Sequence, residues 1–199
     1  MIVVVDYGAG NIHSVRKALE NVGARVVVSD SFRDIERCRK IVLPGVGAFG
    51  NAMEALNSKH LVGPLVEAMS LKKPFLGICL GFQMLFSASD ENPDVEGMAV
   101  FVGRVKRFSN TLKVPHLGWN GVEQITSSPL WQGIPDRTYF YFAHSYFVEP
   151  QEPSIVSGKT EYGEDFASAV SKDNRFGVQF HPEKSQKWGL QLLKNFVRL

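Results

Sequence analysis

One cysteine of this chain lies between two glycines at a spacing that bond-making chemistry can use. In Phe75-Leu-Gly-Ile-Cys79-Leu-Gly-Phe-Gln-Met-Leu-Phe86 a buried-strand pattern runs straight into a helical one, and Gly77 and Gly81 stand two residues either side of Cys79. A sharp strand-to-helix turn needs small residues at those positions and lifts the side chain between them clear of the sheet. A helix N-terminus behind the turn adds partial positive charge and free backbone N–H groups, which favour a thiolate. Cys79 therefore reads as a nucleophile; the alternative is a small hydrophobe packed in the core. The second cysteine lies in Arg37-Cys38-Arg39-Lys40, where positive neighbours could also lower its pKa. It has neither a tight turn nor a nearby base, and reads as structural.

A nucleophilic thiol needs a base, and the base needs a group to orient it. Of His13, His60, His116, His144 and His181, only His181 has a carboxylate at the next-but-one position, in Phe180-His181-Pro182-Glu183. In extended chain such residues point the same way, and Pro182 stiffens the link. Glu183 can then hold Nδ1–H while Nε2 takes the thiol proton. Attack on a carbonyl also requires donors for the oxyanion. Leu80, just after the nucleophile, offers one backbone N–H, and the glycine-containing loop Leu43-Pro-Gly45-Val-Gly47 at the end of a neighbouring strand is the place for another.

Those groups must be carried by a scaffold. The first half alternates apolar runs with helical periodicity: Ile2–Val5; then Ile12, Val15, Leu19 and Val22 on one helical face, stopped at Gly23; then Val26–Val28 and Ile41–Leu43. Helical patterns at Asn51–Ser58 and Leu61–Leu71 precede a further strand, Phe75–Ile78. Strands apolar on both faces, separated by helices, imply a parallel sheet covered on both sides. Ser87–Gly97 reads as an exposed loop. Beyond it come strands without intervening helices: Met98–Phe108, Gly121–Ile125, Tyr139–Val148, Ser154–Thr160, Phe166–Ser171 and Arg175–Phe180, then a helix over Ser185–Val197. The expected fold is α/β, a doubly wound, mixed, mainly parallel sheet with antiparallel additions in the C-terminal half.

The 199 residues suit a single domain over 1–199. A net charge of +2, from 22 Lys and Arg against 20 Asp and Glu, argues against broad capture of nucleic acid. No apolar run reaches membrane-spanning length and no basic leader precedes the first strand, so the chain reads as cytoplasmic. Two cysteines at no metal-ligand spacing leave no expectation of a disulfide scaffold or a metal. Gly8-Ala-Gly10 lacks the third glycine of a dinucleotide-binding turn, and no cofactor is expected.

The G-I-C-L-G turn and the distant H-P-E resemble the triad (class I) glutamine amidotransferases. Asp6-Tyr-Gly-Ala-Gly-Asn11, Pro44-Gly-Val-Gly47, Pro115-His-Leu-Gly-Trp-Asn120, Tyr141-Phe-Ala-His-Ser-Tyr146 and His181-Pro-Glu-Lys-Ser185 narrow the likeness to the glutaminase subunits of imidazole glycerol phosphate synthases. Phe82 stands where that family more often has Met. The resemblance implies hydrolysis of L-glutamine by Cys79, His181 and Glu183, with the ammonia passed to a (β/α)8-barrel synthase subunit in a heterodimer. It implies an oxyanion site at Val46 and Leu80 with Gly45 in the same loop, substrate contacts at Gln83, Ser145 and Tyr146, and a partner face with Asn11, Trp119, Asn120, Tyr141 and Lys184. The alternatives are a glutaminase of another biosynthetic amidotransferase, a peptide-cleaving cysteine hydrolase and a noncatalytic thiol redox sensor on the same fold.

Overall fold

Ile2–Val5 is buried at all four positions, which a strand tolerates only when both its faces are covered. In the computed structural model, which describes residues 1–109 and 111–199, this segment is β1. Next, α1 (Ile12–Asn21) buries Val15, Ala18 and Leu19 and stops at Gly23, whose φ of +88° lets its N–H turn back to the Glu20 carbonyl at 3.0 Å. The alternating half continues through β2 (Val26–Ser29), α2 (Phe32–Arg37), β3 (Lys40–Gly45), α3 (Phe49–Ser58), α4 (Val62–Ser70) and β4 (Phe75–Cys79). The sequence reading had no helix at α2, because its six residues bury only Ile35 and give too little periodicity to see.

The second half begins with α5 (Leu80–Gln83), β5 (Phe86–Ser89) and β6 (Phe101–Arg107). It then runs through β7 (His116–Gln124), β8 (Thr138–His144), β9 (Tyr146–Pro150), β10 (Val156–Glu161), β11 (Asp165–Lys172), β12 (Arg175–Val178) and α6 (Gln186–Arg198). Three expectations change here. The helix behind Cys79 is a single turn, so any macrodipole at the thiol is that of one turn. The supposed loop from Ser87 overlaps β5, which pairs in parallel with β6. The run Tyr139–Val148 is two strands broken at Ser145: β8 pairs with β7, whereas β9 pairs with β6 and β11.

Five neighbouring strands, β2-β1-β3-β4-β12, are parallel, and β11, β10, β7 and β8 extend the sheet antiparallel beyond β12. β12 was expected among the antiparallel additions. Its tight turn from β11 instead reverses it into parallel register with β4, Gly177 opposite Gly77. Alternation along β1 divides the core. Val3 and Val5 pack with Ile35, Met53 and Leu65 of α2, α3 and α4, while Ile2 and Val4 pack with Leu19 of α1 and Leu192 and Phe196 of α6. Burying each such side chain contributes about 1.5–3 kcal/mol. The result is a stiff parallel platform whose β3, β4 and β12 ends lie side by side. Among the described residues no helix is long and apolar enough to cross a membrane.

Candidate active site

Cys79 sits at the end of β4 with φ +54° and ψ −112°, a conformation that costs a non-glycine residue about 1–3 kcal/mol. Close backbone contact holds it there. A Cβ on Gly77 would lie 2.7 Å from the Gly81 carbonyl oxygen, and one on Gly81 would lie 1.9 Å from that of Leu43. Gly45 is opposite Cys79 in the β3–β4 register, and a Cβ there would meet the Tyr7 hydroxyl at 2.7 Å and the Gly81 nitrogen at 2.8 Å. Phe82, one residue beyond the turn, lays its ring against Gly177, where a Cβ would come within 2.0 Å of it. The glycines thus serve backbone proximity, and the strain is held by the sheet on both sides.

His181 follows the end of β12, the strand beside β4, and its N–H donates to the Tyr141 carbonyl at 2.9 Å. Its Nδ1 lies 2.9 Å from Glu183 Oε1, with both side chains almost fully buried. Because a carboxylate accepts, Nδ1 carries hydrogen, which leaves Nε2 for the thiol of Cys79 at the end of the adjoining strand. A short turn over Pro182–Lys184 brings Glu183 back to the ring, and Ser185 fixes that turn by donating to the His181 carbonyl at 2.6 Å. Burial acts against a charged imidazole, but hydrogen bonds and negative charge from Cys79 and Glu183 outweigh it and raise the His181 pKa to about 10. Glu183 Oε2 is buried with no hydrogen-bond partner among the described residues.

Beside the thiol lies a cavity of about 240 Å³. Val46, Leu80, Gln83, Ser145 and Tyr146, each singled out in the sequence, line it together with Cys79. Gly45 lies behind this lining, and Gly47 with φ +104° is at its edge. The Gln83 amide is turned to protein, with Nε2 donating to the Tyr146 carbonyl at 2.8 Å and to Gln179 Oε1 at 3.1 Å. Three lining or adjoining groups went unnoticed in the sequence. Glu91 is a carboxylate on the cavity wall, donated to by the Phe49 N–H at 2.8 Å, and lies in a segment read as loop. Tyr7 is buried, with its hydroxyl donating to the Pro44 carbonyl at 3.1 Å and its pKa pushed well above the usual phenol range by burial and then by Cys79. Gln179, fully buried, directs Nε2 at the Cys79 sulfur at 3.7 Å. Its signal was present: a polar residue inside the apolar run Phe176–Phe180, two before His181.

Outside the cavity, the β7–β8 ribbon presents an aromatic face. Trp119 is opposite Tyr141 in register, their ring centroids 6.1 Å apart, and the Lys184 ammonium lies 5.7 Å from the Tyr141 ring centre. Trp119 is 45% exposed and Leu117, on the same face of the ribbon, 65%, so the two form an apolar patch there. Asn11 caps α1 by position, partly exposed, on the loop whose Gly10 packs on Gly45. Asn120 faces the other way: its amide donates to the Glu161 carbonyl at 2.8 Å and approaches His116 Nε2 at 3.3 Å.

A buried Cys–His–Glu array beside a cavity on a mixed α/β sheet defines a class, and residues 3–199 match the family model for glutamine amidotransferase class-I. The chain therefore belongs to the class I glutamine amidotransferases. Its likeness is closer than the class. It is 48% identical over 198 residues to "Imidazole glycerol phosphate synthase subunit HisH" of Moorella thermoacetica, covering 100% of this chain and 94% of the relative. It is 47% identical to the protein of that name from Methanocaldococcus jannaschii, covering 100% of both chains. Within the class it is thus a member of the HisH family. Among solved structures, "Structure of PurLQS from Thermotoga maritima" matches with a TM-score of 0.79 at 19% identity, covering 99% of this chain and 97% of that one, a likeness of fold.

Proposed function

We propose that Cys79, His181 and Glu183 are the catalytic triad of a glutaminase. The observation carrying this reading is the buried imidazole held by Glu183 at 2.9 Å just past β12, the strand beside the one that ends in Cys79. The chain is a glutamine amidotransferase that serves imidazole glycerol phosphate synthesis in histidine biosynthesis. In the proposed course, the thiol proton rests on His181, in keeping with its raised pKa, and Cys79 Sγ adds to the side-chain amide carbon of glutamine. The resulting oxyanion is held by backbone N–H groups of Leu80 and Val46, with Gly45 and Gly47 setting the path of the loop. His181 then gives its proton to the departing nitrogen, and ammonia leaves a glutamyl thioester. Water, deprotonated by the same nitrogen, splits the thioester and releases glutamate with the thiol restored. Glu183 keeps the imidazole in one tautomer and stabilises its charge. On the cavity wall Gln83, Ser145 and Tyr146 hold the substrate's polar end, and the Glu91 carboxylate complements its α-ammonium group.

We further assign the acceptor of the ammonia to a (β/α)8-barrel synthase subunit in a heterodimer. Free ammonia is mostly protonated in neutral water and is then no nucleophile, so the two sites must share a shielded path. The partly exposed Trp119, Tyr141 and Lys184 cluster and the loop bearing Asn11 lie at the same end of the sheet as the elbow, and aromatic groups with a polar handle suit such a contact. The test is glutaminase kinetics with and without that subunit and its ligand. The expected result is a rise mainly in kcat, because oxyanion donors act on the transition state. A change confined to KM would contradict control through the oxyanion loop, and turnover indifferent to the subunit would contradict the coupling.

A further inference from the structure

A second pair of buried histidines, which the triad does not use, adjoins the cavity, and one of them, His144, lines it. His116 and His144 are directly opposite in the β7–β8 register and point to the inner face of the ribbon, 3% and 6% exposed. His116 Nδ1 is 3.0 Å from His144 Nε2, and His144 Nδ1 is 2.8 Å from the Tyr146 carbonyl oxygen. That oxygen can only accept. It follows that His144 carries its proton on Nδ1, that its Nε2 accepts from His116 Nδ1–H, and that His116 Nε2 accepts from the Asn120 amide at 3.3 Å. One carbonyl thus dictates the tautomer of two rings and the direction of an amide.

The same carbonyl receives a second donor from the opposite side, Gln83 Nε2 at 2.8 Å, and Gln83 is linked through Gln179 to the nucleophile's sulfur. Ser145 lies where β8 breaks into β9, and Tyr146, the first residue of β9, is paired with Arg107 of β6. Aromatic packing fixes the rings in turn: His116 is stacked between Tyr162 at 4.0 Å and Phe142 at 4.9 Å. Burial lowers the pKa of His116 to about 4 and that of His144 to about 3, so both stay neutral near pH 7 and the donor sequence stays intact.

We infer that His116 and His144 are positioning residues for glutamine binding, holding the Tyr146 carbonyl so that the Ser145–Tyr146 backbone and Gln83 form one wall of the substrate cavity. The inference rests on the glutaminase reading. It concerns ground-state binding, because the hydrogen bonds of the two rings run to each other, to Asn120 and to the Tyr146 carbonyl, and it assigns the pair an effect on KM separate from the triad's effect on kcat.

The test uses the full chain with its synthase subunit. His116→Phe fits the aromatic slot but removes the donor to His144 Nε2, freeing that ring to adopt the other tautomer and release Tyr146. His116→Asn keeps an N–H donor near the position of Nδ1. The expected result is a KM for glutamine raised roughly five- to tenfold in His116→Phe with kcat changed less than about twofold, and a return toward the native KM in His116→Asn. Ammonia-driven synthase turnover should be the same in all three proteins. Equal KM values in folded variants, or a loss confined to kcat, would overturn the inference. Should His116→Phe not fold, ¹⁵N spectra of the native histidine rings decide: both rings neutral with hydrogen on Nδ1 support the relay, and an Nε2–H tautomer at His144 refutes it. Native protein that leaves glutamine intact would instead overturn the glutaminase reading, while the ring spectra still judge the relay.

Discussion

The two cysteines are almost equally buried, 6% exposed at Cys79 and 4% at Cys38, yet only one is in a position to react. Cys38 follows α2 in ordinary extended backbone, φ −68°, and its thiol donates to the Ile35 carbonyl at 3.1 Å. Burial raises its pKa, against the smaller opposing influence of Lys73, so the flanking basic residues do not produce the thiolate that their sequence suggests. Cys79 has a strained backbone, a cavity before it, the Glu183-held imidazole of His181 on the adjoining strand end and the Gln179 amide beside its sulfur. Burial therefore does not distinguish a structural thiol from a nucleophile. Backbone strain and the second and third groups do.

The sharpest way to break this contrast is Cys79→Ala. Glutamine hydrolysis should fall by at least about four orders of magnitude, with the fold and partner binding retained. Ammonia supplied directly should still drive the synthase reaction in the complex. Glutamine turnover surviving the substitution would remove Cys79 from the mechanism. Failure of ammonia rescue in an intact complex would refute the division of labour. Next in size, His181→Ala takes away the proton carrier, whereas Glu183→Gln leaves it present but poorly held. The glutamine variant should retain roughly ten- to a hundredfold more activity than the alanine variant, measured as kcat/KM, and native activity in both would reject the triad.

How far the contrast was readable in the sequence differs between the groups. Gly77, Cys79 and Gly81 were legible because a turn that tight demands glycine at set distances; the pairing of His181 with Glu183 was legible from their spacing, though a short turn over Pro182–Lys184, and not the expected extended chain, brings them together. The parallel half was legible through apolar runs without alternation. What stayed hidden depends on pairing between distant segments. Nothing local says that β12 lies beside β4, that Tyr139–Val148 breaks at Ser145, or that His116 meets His144 across a ribbon. Asn120 was placed with Trp119 in a segment toward the partner, and nothing local signals that its amide is turned to His116, on the opposite face of the strand from Trp119.

A smaller effect concerns pH. A histidine whose pKa rises from about 6.5 in the unfolded chain to about 10 in the folded one adds stability fully present below pH 6.5 and lost progressively as pH rises through 10. Since Cys79 is one of the two groups raising it, the native protein should lose more stability than Cys79→Ala between pH 6.5 and 10 in parallel denaturant titrations. Identical losses would show that the thiol and the imidazole are not coupled. Smallest of all, Cys38→Ala should cost about 1 kcal/mol of stability through lost packing and leave glutamine turnover unchanged.

The most direct measurement is covalent trapping with a diazoketone analogue of glutamine, which presents an electrophilic carbon where the side-chain amide would lie, followed by peptide mass mapping of the complex. The expected result is one adduct, on Cys79, formed in step with loss of glutaminase activity and slowed by glutamine, while Cys38 remains a free thiol. An adduct on Cys38 that accounts for the inactivation, or inactivation with Cys79 unmodified, would contradict the assignment of the nucleophile.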